Sequence, residues 1–234
     1  LDVYEVKATC FFLGYIAKKY PYLVKEARKR GHEIASHGMF HRVIAQMSRE
    51  EFMADLHNSK SLLEDICSEE ITAFRSPSFS LTEATPWFFA SLAETGYIAD
   101  SSVFPVKRDY GGYQIEQKKP YWIKTDKGNI CEFPISVASL LGKELCFFGG
   151  GYLRFFPKWV ILYMHKKLAK KGIPTLYYIH PREMEPQHPR LNLNKKSYFK
   201  CYVNLKTVKP KLEAILSSGE FVTCQQYLEE MKDS

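Results

Sequence analysis

Five side chains of reactive type stand out by where they fall. His37 and His41 lie four apart in IASHGMFHR, residues 34–42, directly after a short apolar run. Arg75, Asp100 and His180 each follow another apolar stretch, ending at Phe74, Ala99 and Ile179. Neutral imidazole is a good ligand for zinc and related divalent ions, and one turn or helix can aim two rings four residues apart at one point. Gly38 between them allows a tight backbone path. Spacing alone favours a pair of surface or hydrogen-bonded histidines, because the glutamate of the HExxH pattern is missing. Singly, Arg75 reads as an exposed strand-end arginine. Asp100 reads as a turn or N-cap residue, and His180, before Pro181, as a core histidine held extended. Four reactive positions (His37, Arg75, Asp100, His180) after four different apolar runs point instead to one shared site. The remaining histidines, His32, His57, His165 and His188, have no such context.

Those runs alternate with helix signals. Residues 8–14 are strand-like, and Pro21 and Gly31 bracket a helix. Residues 32–36 form the next strand candidate. Ser48 and Glu51 form a capping box opening a helix with Phe52, Leu56, Leu63 and Ile66 on one face. Residues 72–74 are a strand, Thr85 to Gly96 a helix and residues 97–99 a strand. Pro157 to Lys171 is an amphipathic helix with Val160, Ile161, Met164 and Leu168 inside, closed by Gly172. Residues 175–179 read as the clearest buried strand. A helix at 210–217, a strand at 221–223 and a last helix complete the chain. Strand–helix alternation implies an α/β fold with a parallel sheet, and 234 residues suit a barrel. The active site of such a barrel lies at the C-terminal strand ends, where His37, Arg75, Asp100 and His180 fall. Residues 104–151, with Gly111-Gly112, Pro120 and Gly149-Gly150-Gly151, break the rhythm and read as a loop and hairpin insertion.

Composition narrows the classes. With 45% hydrophobic and 15% aromatic residues the chain is globular rather than disordered. The net charge of +7 is spread over helix faces, and no nucleic-acid recognition motif accompanies it. The six cysteines contain no CxxC pair, which suits reduced thiols and a cytoplasmic location. No apolar run is long enough to span a membrane.

Four strings, GHEIASHGMFH, FRSPSFS, GYIADSSVFP and LYYIHPREMEPQHPR, resemble in order and spacing the NodB-homology polysaccharide deacetylases (carbohydrate esterase 4-like). EFPIS, GGGY and CYVNL extend the resemblance to the subfamily associated with exosortase/PEP-CTERM exopolysaccharide loci. The resemblance implies a distorted (β/α) barrel, with a deacetylase domain at 1–190 and a C-terminal extension at 191–234 packed on it. It implies a hydrolase removing N-acetyl groups from an amino-sugar polysaccharide or a lipid-linked oligosaccharide. It also implies one divalent metal, zinc by preference, with cobalt, nickel or iron also suited to such ligands. His37 and His41 would be metal ligands and His180 the general acid that protonates the leaving amine. Asp100 would orient His180, and Arg75 would hold the catalytic base. The backbone N–H near Ser78 would steady the oxyanion, and Phe79 and Tyr152 would stack on sugar rings or else pack in the core. Arg182 stands where family members often carry Trp.

The chain departs from the family at its first motif, an Asp-Asp pair after the first strand that supplies the base and the third metal ligand. No adjacent aspartates occur here, and the first residue is Leu1. The expectation is an N-terminally truncated barrel lacking its first strand, inactive as it stands. The alternatives are a different acyl group or carrier, a catalytically inactive carbohydrate-binding relative, or a basic protein that binds polyanions without metal.

Overall fold

The computed structural model describes residues 1–106, 111–113 and 115–232. The chain divides into two compact units, one of residues 1–134 with 221–234 and one of residues 135–220. No described helix is long and apolar enough to cross a membrane.

The first unit is α/β. In chain order it runs β1 (Thr9–Phe12), α1 (Gly14–Lys19), α2 (Pro21–Lys29), β2 (Glu33–Ser36), α3 (Arg49–Cys67), β3 (Ala73–Phe74), α4 (Phe88–Glu94), β4 (Ala99–Asp100), β5 (Tyr121–Thr125) and β6 (Gly128–Glu132). These strands form one sheet in the order β1-β2-β3-β4-β6-β5, parallel except for the β5–β6 hairpin. Residues 104–151, expected as an insertion, therefore carry a strand that pairs with β4. Residues 107–110 and 114 of that stretch lie outside the described residues.

Helix α3 shows how the sequence positions the sheet. Ser48 Oγ accepts the Glu51 backbone N–H at 3.2 Å and Glu51 returns the contact to Ser48 N–H at 2.9 Å, satisfying two donors that the first turn leaves open. Phe52, Leu56, Ser59, Leu63 and Cys67 follow at helical spacing and are buried. Ile66, expected on that face, is half-buried, because the stripe drifts one position to Cys67 over nineteen residues. Phe52 stacks on Phe88 and meets Phe74 edge to face, which fixes α3 and α4 against β3.

The second unit holds the hairpin β7 (Ala138–Leu140) and β8 (Lys143–Leu145) and helices α5 (Gly150–Phe155), α6 (Lys158–Ala169), α7 (Pro181–Met184), α8 (Lys195–Tyr202) and α9 (Val208–Leu216). The inner residues of α6 are Val160, Ile161, Met164 and Leu168, as its periodicity predicts. Residues 175–179 do not form the expected buried strand. They are half-buried and make a single parallel bridge, Tyr178 to Gly149. The reason is partnership: Leu176 N–H goes to Ser136 Oγ at 2.8 Å and Tyr178 N–H to Phe148 O at 3.2 Å, so no continuous ladder forms.

Residues 221–223, expected as a strand, are irregular and lead into α10 (Cys224–Lys232) in the first unit. Thr223 is drawn into the start of that helix, where its Oγ1 accepts Gln226 N–H at 3.2 Å. Cys224 N–H meets Thr9 Oγ1 at 2.9 Å, tying α10 to β1.

Candidate active site

In the first unit the C-terminal ends of parallel neighbours carry His37 after β2, Arg75 after β3, Asp100 closing β4 and Glu132 closing β6. Three of these four were expected from the sequence. Glu132 was not, although it also ends an apolar pair, Ile130-Cys131.

His37 is fixed at both ends. Its N–H bonds Phe12 O at 2.8 Å, and its Nδ1 lies 2.7 Å from Arg75 O. A carbonyl only accepts, so Nδ1 carries a proton, and in the neutral ring Nε2 is the acceptor nitrogen. That is the tautomer a metal ligand needs, set by a backbone partner. The His41 ring lies 5.2 Å from that of His37, at 74°. The segment between is a turn rather than a helix, with Gly38 at φ 74° and His41 at φ 53°. Gly38 has a steric reason as well, since a Cβ there would meet Asp55 Oδ2 at 2.6 Å. Asp55 is needed in place, because it accepts Met39 N–H at 2.8 Å and so holds the turn.

Arg75 is braced on β4. Its Nε donates to Ser101 O at 3.1 Å and its Nη2 to Ser101 Oγ at 2.8 Å, while the guanidinium stacks 4.1 Å from the Phe11 ring. Ser78 and Phe79 follow with φ of 59° and 51°. Two consecutive non-glycine residues in the left-handed region cost on the order of 1 kcal/mol each, a strain the surrounding packing must hold. Ser78 is exposed. Phe79 is buried against Phe104 and beneath Arg75, which fits core packing better than an open sugar platform.

Asp100 and Glu132 are register partners on adjacent parallel strands, and both are buried. Asp100 accepts from Ser102 Oγ at 2.6 Å and Ser102 N at 3.2 Å; Glu132 Oε1 accepts Val103 N–H at 3.0 Å. Glu132 Oε2 has no donor among the described residues. Two buried carboxylates in contact cannot both stay charged. Burial pushes Asp100 up to about 6, against the pull of hydrogen bonds from Glu132 and Ser102 and the charge of Arg75. Burial, then the Asp100 charge, raises Glu132 well above the usual carboxylate range. A proton on Glu132 bonded to Asp100 explains the otherwise orphaned oxygen.

His180 and Tyr152, also expected from the sequence, lie in the second unit. His180 caps α7 in extended backbone conformation and its ring is about half exposed. Its carboxylate neighbour in this unit is Glu183, with Oε2 at 2.9 Å from the backbone nitrogen and 3.5 Å from Nδ1. Glu183 was not expected from sequence. Tyr152 is exposed and stacks parallel to Phe156 at 6.3 Å.

For a metal the fit is partial. His37 and His41 provide two imidazoles of a tetrahedral set. Among the described residues no three His, Cys, Asp or Glu side chains are grouped to hold an ion.

Residues 1–97 match the polysaccharide deacetylase family model. A peptidoglycan-N-acetylglucosamine deacetylase of Bacillus cereus is 34% identical over 97 residues, 42% of this chain and 44% of that protein, so the chain spans less than half of the curated relative it matches. A putative polysaccharide deacetylase from Mycobacterium smegmatis shares the fold with TM-score 0.64 at 17% identity, over 99% of this chain and 73% of that one. A carbohydrate esterase 4 pseudoenzyme from Bacillus anthracis does so with TM-score 0.50 at 15% identity, over 97% and 57%. Residues 101–229, more than half of the chain, match a second model, and the chain belongs to that family, described as a domain of unknown function (DUF3473).

Proposed function

We propose that this chain is part of a metal-dependent hydrolase that removes N-acetyl groups from an amino-sugar polysaccharide or a lipid-linked precursor. The exopolysaccharide subfamily and a cytoplasmic location are part of the same reading. The carrying observation is His37, its Nδ1 held 2.7 Å from Arg75 O and its ring 5.2 Å from that of His41, just after a strand of the parallel sheet. The 34% identity over 97 residues to a peptidoglycan-N-acetylglucosamine deacetylase supports the reaction class.

Hydrolysis breaks the amide C–N bond. Water supplies the oxygen that leaves in acetate, and the amine nitrogen takes a proton. A divalent cation on His37 and His41, zinc by preference, would polarise the carbonyl and acidify water. His180 is assigned the proton delivered to the amine. The Ser78 N–H is assigned the oxyanion, Arg75 the positioning of the base, and the Tyr152 face the sugar. Among the described residues the set lacks one carboxylate ligand and a base. The 234-residue chain by itself is then expected to be inactive.

The test is acetate release from N-acetylated chitooligosaccharides, with and without zinc, by this chain and by a version translated from codons upstream of Leu1. Zinc-dependent release by the longer protein, abolished by His37→Ala, is the expected result. A longer protein that binds zinc stoichiometrically yet releases no acetyl group would sink the reading and favour a carbohydrate-binding protein. Hydrolysis by the 234-residue chain would refute the missing ligand instead.

A further inference from the structure

The second unit buries a charge pair that helix capping does not require. Glu183 is fully buried, and its Oε1 is bonded to Nη1 of Arg154, itself 2% exposed. Arg154 is held in turn by Lys200 O, 2.7 Å from Nη2. Lys211 Nζ caps the end of α5 beside it, 2.9 Å from Leu153 O and from Arg154 O. The second oxygen of Glu183 faces His180, accepting its backbone N–H at 2.9 Å and lying 3.5 Å from Nδ1.

The chain contains a control. Glu51 occupies the same third position in the capping box of α3 and accepts the N-cap N–H at the same 2.9 Å. It does so half exposed, paired with an exposed arginine, Arg42. Capping is thus achieved in this protein without burial. Burying a carboxylate and a guanidinium together is costly and gains little stability over apolar residues of similar shape. What the buried version adds is a carboxylate held rigidly from behind and aimed at an imidazole. Burial by itself would raise the Glu183 carboxyl, yet the two His180 contacts and the Arg154 charge outweigh it and hold the group below its ordinary range, so it is anionic at neutral pH.

We infer that Glu183, locked by Arg154, is the positioning residue of His180: it takes the Nδ1 proton side of the ring and leaves Nε2 to face the reacting group. The inference rests on the proposed role of His180 as proton donor. It gives that donor a carboxylate carried on its own helix, three residues away. The Tyr178 ring, its centroid 5.9 Å from that of His180 and nearly perpendicular to it, is also set against the imidazole.

The imidazole tautomer tests this without any catalytic assay. In the 234-residue chain labelled with ¹⁵N histidine, neutral His180 is expected to carry its proton on Nδ1. In Glu183→Gln the population is expected to shift to Nε2–H, the form free histidine prefers. Since the amide of that variant leaves the Arg154 charge uncompensated, Arg154→Met combined with Glu183→Gln removes both charges and keeps a foldable comparison. Glu183→Asp, whose shorter carboxylate retains the charge, is expected to restore part of the Nδ1–H form. An unchanged tautomer in both glutamine variants, with the fold intact by circular dichroism, overturns the inference. In a preparation that releases acetate, kcat is expected to fall about tenfold in the double variant with KM unchanged. Activity that survives His180→Ala would count against His180 as proton donor, while the tautomer result still decides the role of Glu183.

Discussion

Replacing Glu132 by glutamine takes one acid out of a buried pair and keeps its shape. The amide oxygen can still accept Val103 N–H, and the amide nitrogen falls where Oε2 now lacks a donor, facing Asp100. The consequence is a change in how stability depends on pH. Asp100 is pushed from an ordinary value of 3.8 up to about 6, and Glu132 well above 4.5, so the folded protein holds protons that the unfolded chain has released. Stability therefore falls as pH rises, by up to about 1.4 kcal/mol per pH unit for each proton retained. For Asp100, from 3.8 to about 6, that amounts to roughly 3 kcal/mol, complete once pH passes its folded value. Above that point the wild type continues to lose stability for as long as Glu132, raised by burial and the Asp100 charge, keeps its proton, whereas Glu132→Gln should level off. Urea unfolding in half-unit steps from about pH 5 to about pH 8 reads this directly. The gap between variant and wild type should widen in favour of the variant with rising pH, by up to about 1.4 kcal/mol per pH unit while Glu132 keeps its proton. Parallel curves would refute the shared proton.

Two further perturbations probe the packing that holds these groups. Phe52→Ala empties the contact between α3, β3 and α4 and should cost about 3–5 kcal/mol, seen as a lower urea midpoint at unchanged slope. Gly149→Ala drives a Cβ into the Tyr178 ring, so the bridge beside His180 must open. Thermal unfolding of the second unit should shift down by several degrees, and the amide of Tyr178 should lose its protection from hydrogen exchange.

The elements read correctly from sequence are those whose signals are local. The capping box of α3, the proline and glycine bracketing α2 and the apolar stripe of α6 act within a few residues and emerged as expected. Residues 175–179 failed because apolar β-branched and aromatic composition shows that a segment can be a strand, not that a neighbour offers it a ladder. Here the neighbours are a serine hydroxyl and one carbonyl. The candidate site divides along the same line. HxxxH spacing is visible in the sequence, whereas the atom that fixes the His37 ring is the carbonyl of Arg75, thirty-eight residues away.

Both acids missed from the sequence are glutamates, the residue type most often left to solvent. Glu132 had the same local context that singled out Asp100, a position directly after an apolar run, and the strand-end rule applied evenly would have included it. What that rule does not supply is the consequence. On neighbouring parallel strands in register, Asp100 and Glu132 must project from the same face, so a site with two acids carries one charge, and which oxygen holds it is set by Ser102 and Val103 donors rather than by residue type. Glu183 makes the complementary case, since its two His180 contacts and the Arg154 charge keep it charged although it too is buried. Burial does not distinguish the two glutamates; the sign of the buried neighbour does. That neighbour is a carboxylate one strand over in the first unit and a guanidinium from α5 in the second, and neither is visible until the chain has folded.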